Sequence, residues 1–560
     1  LQQSALQSVA NLGEGAFRSV DAAGAFPSLL VFERVVPDVE SHISVFDVAT
    51  YRTAEEKAVA LRSAVPDALA FAQVCGSPDY LVAMTQGGGL PPLSEFATPY
   101  VGLQTSDYPR YCRFFWELPL RTGDWEYMQE SPEETGKLTG LSSLFYWQQG
   151  SGDLMSSGLA YIRGQAAWGK KGVAVSRMRQ LEAGPYLGNF YNQTTAAIIP
   201  RDESLLPAVM AFCSSDEYTE AVHEIDRRIC VANAALGRVG FDLPRWQAEA
   251  ERQFPNGLPA PHTDDPTQWL FHGHPAASSD PLQVAVARLL GYRWPAECDN
   301  SLELSETTRG WVESCAKLAS HADDDGVVCL PPVRGEKAAH ERVLNLLIAA
   351  WESAEPGSWK TSVLAGLLAG AGCSGRTLEA WLKDKFFEQH ARLFNHRPFV
   401  WHVWDGLADG FSALVNYHKL DARLLDRLTH TYLGDWIRTQ EGAASKGVDG
   451  AQMRLAAARQ LKAKLEAIAV GEAPLDIFVR WKPLGRQAVG WSPDLNDGVR
   501  LNIRPFMTAE VLRHNRPPKL NVKWERDRGQ EPEGTPWFGA FGGERVNDHH
   551  LKLSDKCADE

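Results

Sequence analysis

The chain has 560 residues, of which 44% are hydrophobic and 22% are charged, and its formal net charge is −14. This length is too great for a single hydrophobic core and predicts about three or four domains. The composition is typical of an ordinary globular protein, and no apolar run reaches the length that crosses a membrane.

Nine cysteines are scattered along the chain, and none of them forms a CxxC pair. The sequence therefore predicts reduced thiols in a cytoplasmic protein and no zinc site. The first residues lack a basic segment followed by an apolar run, so no signal peptide is expected. They resemble the middle of a domain, and we expect the chain to be part of a longer protein.

The negative net charge alone argues against nucleic acid as a partner, but the charge is unevenly distributed. Residues 480–528 contain 11 Lys and Arg against 5 Asp and Glu. Residues 163–179 contain five basic residues and no acidic one, whereas residues 323–325 are three consecutive aspartates. Because an acidic protein can hold DNA in a basic cleft, the sequence is compatible with a DNA partner.

The first 50 residues are predicted to contain a short helix, a turn and two strands. Residues 1–9 predict the helix, and the sequence NLGEG at residues 11–15 predicts the turn. Residues 28–32 form an apolar run of strand length, and residues 42–48 alternate like an edge strand. A glycine turn that binds a cofactor follows a strand rather than a helix, so this turn is a weak candidate for that role.

Thr53 is the predicted N-cap of a helix that extends to residue 72, before a glycine-rich break at residues 87–92. A Pro-Asp pair at residues 37–38 followed by Glu-Glu-Lys at residues 55–57 also fits the pattern of a magnesium-dependent nuclease. That pattern needs its Glu-x-Lys element on a strand, whereas these residues open a helix. We therefore do not predict a nuclease.

Residues 98–275 mix short strands and loops. Within them, residues 205–236 show a long helical pattern, and residues 255–275 are rich in Pro, Gly and His like a linker. His272 and His274 are predicted to be a surface pair rather than a metal site, because no third ligand is near.

The later part of the chain is predicted to be helical first and then irregular. Residues 281–390 are mostly helical in pattern, and residues 452–469 form a further helix. Residues 473–560 are predicted to return to short strands and turns. No GxSxG nucleophile motif is present, so a hydrolase has no support.

The strongest local signal for ligand binding lies in residues 161–191. Glycines at positions 164, 169 and 172 allow a ligand to approach the backbone closely. Lysines suit phosphates, arginines can make the bidentate contact to guanine, and an Asn-Gln pair can bind adenine in the same way. These residues are Arg163, Lys170, Lys171, Arg177, Arg179, Asn192 and Gln193. The alternative is an exposed basic loop next to a strand.

Residues 478–528 space Arg and Lys among Trp481, Trp491 and Trp524. Basic residues with interleaved aromatics can follow a DNA backbone. Equally, the basic side chains can lie over the tryptophans as the shell of a small β domain, and we favour that structural interpretation.

One string of the sequence resembles a known family. Residues 386–420, FFEQHARLFNHRPFVWHVWDGLADGFSALVNYHKL, crowd Trp, His and Arg together without a regular period. The string resembles the C-terminal part of large bacterial DNA adenine-N6 methyltransferases. These are the type IIG restriction–modification enzymes and the phage-defence methyltransferases of BREX and DISARM systems. The alternative is a buried aromatic segment of the core.

A second region resembles the target-recognition domain of the type IIG enzymes. The matching features are residues 98–107, RFFW at 113–116, Ser-Arg at 176–177, Ile-Ile-Pro at 198–200, the Leu-rich run 205–212 and the serines at 214–215. The resemblance adds Gln104, Ser106 and Ser176 to the residues expected to contact DNA. Residues 1–50 similarly resemble the last strands of a methyltransferase catalytic core.

The resemblance implies a mixed α/β multidomain protein. Residues 1–50 would end a Rossmann-like methyltransferase core, and residues 51–97 would be a helical connector. Residues 98–275 would form the α+β target-recognition domain. Residues 276–390 would be a helical spacer, and residues 391–560 a small basic α+β module.

Adenine-N6 methylation needs a glycine-rich turn for S-adenosylmethionine and an Asn/Asp-Pro-Pro-Tyr/Phe loop for the flipped adenine. The Pro-Pro pairs follow Leu90, Leu330 and Arg516, so none carries the required acceptor. The resemblance therefore implies that a core upstream binds S-adenosylmethionine and methylates adenine, and that this chain has no catalytic residue.

The function implied for this chain is recognition of double-stranded DNA, which would mark host DNA as self in phage defence or restriction–modification. Other proteins of the defence system would be further partners. The alternative is a non-enzymatic DNA-binding or scaffold subunit of a defence complex.

Overall fold

A computed structural model describes residues 4–18, 25–36, 38, 40–76, 90–513, 533, 538, 543 and 550–557. Several features of the sequence lie outside these residues: Pro37, the glycines at 87–89, the Pro-Pro pair at 517–518, Trp524 and most of the basic run after residue 513.

The described residues are mixed α/β, with several small sheets among many helices. The strands are β1 Ala5–Asn11, β2 Ser28–Glu33, β3 His42–Asp47, β4 Asp67–Ala70, β5 Ala97–Val101, β6 Cys112–Phe114, β7 Trp125–Gln129, β8 Ser143–Tyr146, β9 Gly172–Ser176, β10 Ala183–Tyr186, β11 Phe190–Tyr191, β12 Thr195–Pro200, β13 Val327–Cys329, β14 Val400–Trp404 and β15 Ser412–Asn416. The helices are α1 Ala54–Ser63, α2 Phe71–Gly76, α3 Tyr108–Tyr111, α4 Asp153–Ser156, α5 Leu206–Cys213, α6 Asp216–Ile225, α7 Asn233–Gly237, α8 Leu243–Gln253, α9 Pro281–Leu289, α10 Pro295–Cys298, α11 Glu306–Ala316, α12 Ala339–Ala354, α13 Thr361–Gly370, α14 Leu378–Asp384, α15 Phe386–Leu393, α16 Ala422–Arg427, α17 Leu433–Ser445, α18 Ala451–Val470, α19 Val499–Asn502, α20 Arg504–Thr508 and α21 Leu553–Lys556.

The N-terminal sheet has the strand order β2-β1-β3-β4. Strand β1 pairs antiparallel with β2 and parallel with β3. The helix predicted for residues 1–9 is therefore wrong: a short apolar run does not distinguish helix from strand, and pairing on both sides decides for the strand. The glycine turn at residues 11–15 thus follows a strand, and β3 lies inside the sheet rather than at its edge.

Helix α1 begins as the sequence predicts. The Thr53 side chain accepts from the Glu56 backbone N–H, and the Glu56 carboxylate accepts from the Thr53 backbone N–H, which is a capping box. The helix ends at Ser63 instead of residue 72: the backbone of its C-cap Ala64 is extended, and residues 67–70 pair with β3 as β4. Lys57 is buried and donates to the Val48 and Ala49 carbonyls, so it serves the packing of this helix.

Two sheets form the region after residue 90. One has the order β10-β9-β12-β5, and the other has the order β11-β7-β8-β6. The helical pattern of residues 205–236 is divided into α5, α6 and α7, since Ser215 caps a new helix by accepting from the Tyr218 N–H. Helices α5 and α8 pack together in the hydrophobic cluster that covers β9 and β12.

The predicted linker at residues 255–275 is wrong in its second half. Trp269, Leu270 and Phe271 are buried in the largest hydrophobic cluster. His272 and His274 are both 0% exposed, so they are not a surface pair. Proline and glycine report turns of the backbone but carry no information about burial, which explains the error.

The second half of the chain is helical around the small sheet β13-β15-β14. The aromatic string 386–420 supplies α15, β14 and β15, and its Phe399, Trp401 and Tyr417 are each 0% exposed. These residues thus belong to the core, as the structural alternative expected. Residues 473–560 are predicted to form short strands and turns. Their described part, residues 473–513, has turns and short helices instead of strands, with one isolated bridge from Leu512 to Val403.

One hydrophobic cluster draws residues from 115–144, 269–294 and 327–512. The recognition region and the C-terminal region therefore share a core, and Trp116 illustrates it: its indole N–H donates to the Arg397 carbonyl at 3.0 Å. The domain boundaries and the assignment of residues 1–50 to a Rossmann-like core stay predictions.

Candidate nucleic-acid interface

The register of the sheet β10-β9-β12-β5 brings distant residues to one edge. Ser176 at the end of β9 is opposite Thr195 at the start of β12, and Ala196 is opposite Val101 at the end of β5. In antiparallel strands the end of one lies beside the beginning of the next. The segments that follow β9, precede β12 and follow β5 therefore lie at the same end of the sheet. They carry Gln104, Ser106, Arg177, Arg179, Asn192 and Gln193.

A cleft of about 320 Å³ opens at this edge. Four of the predicted residues line it, namely Gln104, Ser106, Asn192 and Gln193. Backbone hydrogen bonds in both directions join Gln104 to Tyr161, and the Ser106 hydroxyl donates to the Leu159 carbonyl at 2.7 Å. The segment 159–163 is thus held at the cleft, and the Arg163 guanidinium lies 5.1 Å from the Tyr161 ring centre.

Two of the predicted contact residues use their polar atoms inside the chain. The Arg177 guanidinium donates to the Val231 carbonyl through two nitrogens, at 3.0 and 2.8 Å, and to the Gln193 carbonyl at 2.8 Å. The Asn192 amide nitrogen donates to Glu130, and its oxygen accepts from the Thr194 backbone and hydroxyl. Both side chains thus hold the walls of the cleft in place.

Ser176 is 4% exposed and lies within the buried strand β9, so its hydroxyl does not face the solvent. Arg179 differs, because its side chain is exposed while its backbone is fixed. Its N–H donates to the Ile229 carbonyl, and its carbonyl lies 2.7 Å from the His223 Nε2. Gln193 is also exposed.

The two predicted lysines lie at the other end of β9. Lys171 precedes the strand and Arg177 follows it. A strand rises about 3.3 Å per residue, so these positions are about 20 Å apart. Lys170 is exposed, and Lys171 makes an exposed salt bridge of 3.1 Å to Glu303, which contributes little stability. The basic residues of 163–179 therefore form two groups rather than one patch.

Two of the three glycines predicted to admit a ligand, Gly164 and Gly172, are instead packed closely against other parts of the chain. A Cβ on Gly164 would lie 2.3 Å from the Tyr191 hydroxyl, and a Cβ on Gly172 would lie 2.6 Å from the Ile198 carbonyl oxygen. These glycines let the chain's own atoms approach, rather than a ligand. Gly169 has open space around it.

Glu130 contacts two residues that line this cleft, and the sequence analysis did not single it out. It follows β7, and its carboxylate accepts from the Tyr108 hydroxyl at 2.6 Å and from the Asn192 amide. Burial raises the pKa of Glu130 above its ordinary value, and burial together with Glu130 raises the pKa of Tyr108. Its partner Asn192 is 62 residues away in sequence, and no local pattern links the two.

The turn at residues 11–15 does not fit S-adenosylmethionine. A Cβ on Gly13 would lie 2.7 Å from the Ala49 side chain, and one on Gly15 would lie 2.4 Å from the Arg52 carbonyl oxygen. The space next to both glycines is taken by the chain itself. In the described parts of the chain, no group of three or more His, Cys, Asp or Glu side chains is arranged to hold a metal. Within the same parts, the helices are too short or too polar to cross a membrane.

Comparison with known proteins gives a loose structural likeness to a restriction–modification enzyme. No family model matches the chain, and no curated protein matches it. Among solved structures the chain is similar to the type IIL restriction–modification enzyme MmeI, which was solved in complex with DNA. The identity is 10% and the TM-score is 0.22, over 63% of this chain and 46% of that enzyme. The chain thus spans less than half of that enzyme, and a likeness this low leaves fold and function to be argued from the chain's own residues.

Proposed function

We propose that this chain recognises double-stranded DNA through the cleft at the edge of the sheet β10-β9-β12-β5. The observation that carries the proposal is the meeting of Gln104, Ser106, Asn192 and Gln193 around one opening, beside the segment that carries Arg163. Amide and guanidinium groups at one site are the chemistry that reads base edges in the major groove.

The contacts divide the predicted residues into two roles. Gln193 and Arg179 are exposed and would contact bases or phosphates directly. Arg177 and Asn192 would act by positioning, because their donors hold the Val231, Gln193 and Glu130 groups that shape the cleft. Lys170 and Lys171, about 20 Å away along β9, would contact phosphates about six base pairs further along the duplex.

Within a larger protein, the chain would be the recognition part of an S-adenosylmethionine-dependent, site-specific adenine-N6 methyltransferase of restriction–modification or phage defence. The catalytic motifs would lie in a core upstream. The exposed strand β2 supports this arrangement: Leu29, Leu30, Val31 and Phe32 are each at least half exposed at the edge of the N-terminal sheet. Apolar edge strands of this kind are normally covered by further structure.

A scaffold subunit of a defence complex is the second candidate. Its support is the net charge of −14 together with an acidic groove of about 660 Å³. The acidic residues of that groove are Glu133, Glu134, Asp264, Asp265 and Asp280. Such a surface suits a basic protein partner rather than DNA.

Selection of bound duplexes from a randomised DNA pool tests the proposal. We expect the wild-type chain to enrich a sequence motif, and the double variant Arg179→Ala/Gln193→Ala to lose or relax it. Arg459→Ala is the matched control, since Arg459 is an exposed arginine on α18, remote in sequence from the cleft. A wild-type chain that enriches no motif and binds DNA no better than the double variant would contradict the proposal and favour the scaffold.

A further inference from the structure

The α6–α7 loop, residues 226–231, is a further exposed element at the end of the sheet β10-β9-β12-β5. All but its two end residues are exposed. An isolated antiparallel bridge joins Cys230 to Met178, and the Arg179 N–H donates to the Ile229 carbonyl at 3.0 Å. The loop thus runs beside Arg179, which the proposed function places in contact with DNA.

The Arg177 guanidinium joins this loop to the cleft. It donates to the Val231 carbonyl at the end of the loop, at 3.0 and 2.8 Å, and to the Gln193 carbonyl at 2.8 Å. Gln193 lines the cleft. Because one planar guanidinium reaches both acceptors, the end of the loop is a direct neighbour of the cleft.

A buried carboxylate fixes the shape of the loop. Asp226 is 9% exposed and accepts from the backbone N–H groups of Arg228 and Ala232, at 3.1 and 2.7 Å. It also accepts from the Arg228 guanidinium through two nitrogens, at 2.8 and 2.6 Å. A loop that is held in this way loses little conformational freedom on binding, so its exposed side chains suit a contact surface.

The loop and its neighbour Arg179 present basic and apolar groups together. Among the described residues, the guanidinium groups of Arg179 and Arg227 make no hydrogen bond and no ion pair, whereas that of Arg228 is paired with Asp226. Ile229 is 58% exposed, and it adds a large apolar side chain to the same surface. Guanidinium groups bind phosphates through paired N–H donors, and apolar side chains contact the methyl group of thymine.

We propose that the α6–α7 loop contacts the DNA duplex next to the bases that the cleft reads, with Arg227 on a backbone phosphate and Ile229 against an apolar base edge. The inference rests on the proposed function, and it adds two contact residues that the sequence analysis did not single out. It also gives Arg177 a second positioning role, since that side chain holds the loop as well as the cleft.

The loop carries its own reporter, because Cys230 is one of two exposed cysteines among the described residues and Cys557 is the other. The full chain is treated with iodoacetamide, with and without a duplex that carries the selected motif. Peptide mass spectrometry then follows the modification of each cysteine. A duplex at about ten times its Kd leaves about a tenth of the chain free, so we expect modification of Cys230 to slow about tenfold and that of Cys557 to stay unchanged.

The other outcomes of this experiment are distinct. Equal rates at Cys230 with and without bound DNA would overturn the inference and leave the proposed function standing. Protection of Cys230 that appears without DNA and increases with protein concentration would assign the loop to self-association, and it would also overturn the inference. A wild-type chain that binds no DNA removes the proposed function and this inference with it.

Two substitutions test the individual contacts. Arg227→Gln removes one phosphate contact, so we expect the slope of log affinity against log salt to fall by about 0.9, with Arg459→Gln as the unchanged control. Ile229→Ala should weaken binding to the selected motif and leave that slope as it is. Both side chains are exposed, and thermal unfolding checks that the variants fold. Wild-type affinity and slope in both variants would overturn the inference.

Discussion

The N-terminal sheet and the recognition sheet both have four strands, but they differ in what covers them. Every residue of β9 and β12 is buried, and helix α5 packs on this sheet. Every residue of β2 is exposed, although four of its six residues are large and apolar. Among the described residues, the recognition sheet is therefore covered, whereas the N-terminal sheet has an apolar edge that remains exposed.

The difference indicates which parts of the chain fold by themselves. Buried strands in a covered sheet gain stability from packing contacts within the described residues. Substitutions there are therefore expected to lower the free energy of unfolding as much as in an ordinary protein core. An exposed edge strand gains little from its apolar side chains in this chain, and it can pair with other chains. Four predictions test this contrast, from the largest expected effect to the smallest.

Among the substitutions, Ile198→Ala is expected to give the largest effect on stability. Ile198 is 0% exposed in the middle of β12, so the substitution removes buried methyl groups and leaves a cavity. We expect a loss of about 2–5 kcal/mol in the free energy of unfolding, measured by denaturant titration. A loss below about 0.5 kcal/mol, the size of an ordinary surface substitution, would mean that this sheet is not the stable part of the molecule.

A drop in pH is expected to destabilise the part of the chain that contains buried histidines, but not the N-terminal sheet. Burial lowers the pKa of His390 and His402 to about 3 and that of His418 to about 4. The unfolded chain takes up protons near pH 6.5, while the folded chain does so only near these lower values. Stability is therefore full above about pH 6.5 and falls as the pH drops towards 4, by about 1.4 kcal/mol per pH unit for each histidine.

The N-terminal sheet should escape this effect, because residues 1–76 contain one histidine, His42, and it is exposed. All 18 tryptophans lie at or after residue 116, so their fluorescence reports only the remainder. His402→Leu should flatten the pH dependence, since neither ring nitrogen of His402 has a hydrogen-bond partner among the described residues. An unfolding midpoint that is equal at pH 7 and pH 5 would contradict this account.

Arg177→Ala and Arg179→Ala are expected to differ although the residues are two apart. Arg177 makes three hydrogen bonds to backbone carbonyls, so its removal should cost about 2 kcal/mol of stability. Arg179→Ala should change stability by less than about 0.5 kcal/mol and weaken DNA binding instead. Equal losses of stability for both variants would remove the distinction between positioning and contacting residues.

Local structure, such as the start of a helix, was easier to predict from the sequence than contacts between residues far apart in the chain. Thr53 correctly predicted the start of α1, because the residues of a capping box lie within four positions of each other. The position of Glu130 beside Asn192 depends on strand register, and that of Trp116 beside Arg397 depends on a shared core. No local pattern in the sequence encodes either. The burial of His272 was missed for a related reason: glycine and proline set its backbone, while the residues packed against it include Trp311 and Cys315 of α11.

The smallest effect on stability is expected at β2. A substitution there tests whether β2 is exposed in every setting or is covered by an upstream core in a longer protein. Leu30 is 53% exposed, so Leu30→Lys should change the free energy of unfolding of this chain by less than about 0.5 kcal/mol. The added charge should reduce self-association through the strand edge, measured by light scattering. In a longer protein whose upstream core covers β2, the same substitution buries a lysine and should cost several times more. Equal, negligible costs in both settings would show that β2 stays bare and would leave the proposed catalytic core without its contact to this sheet.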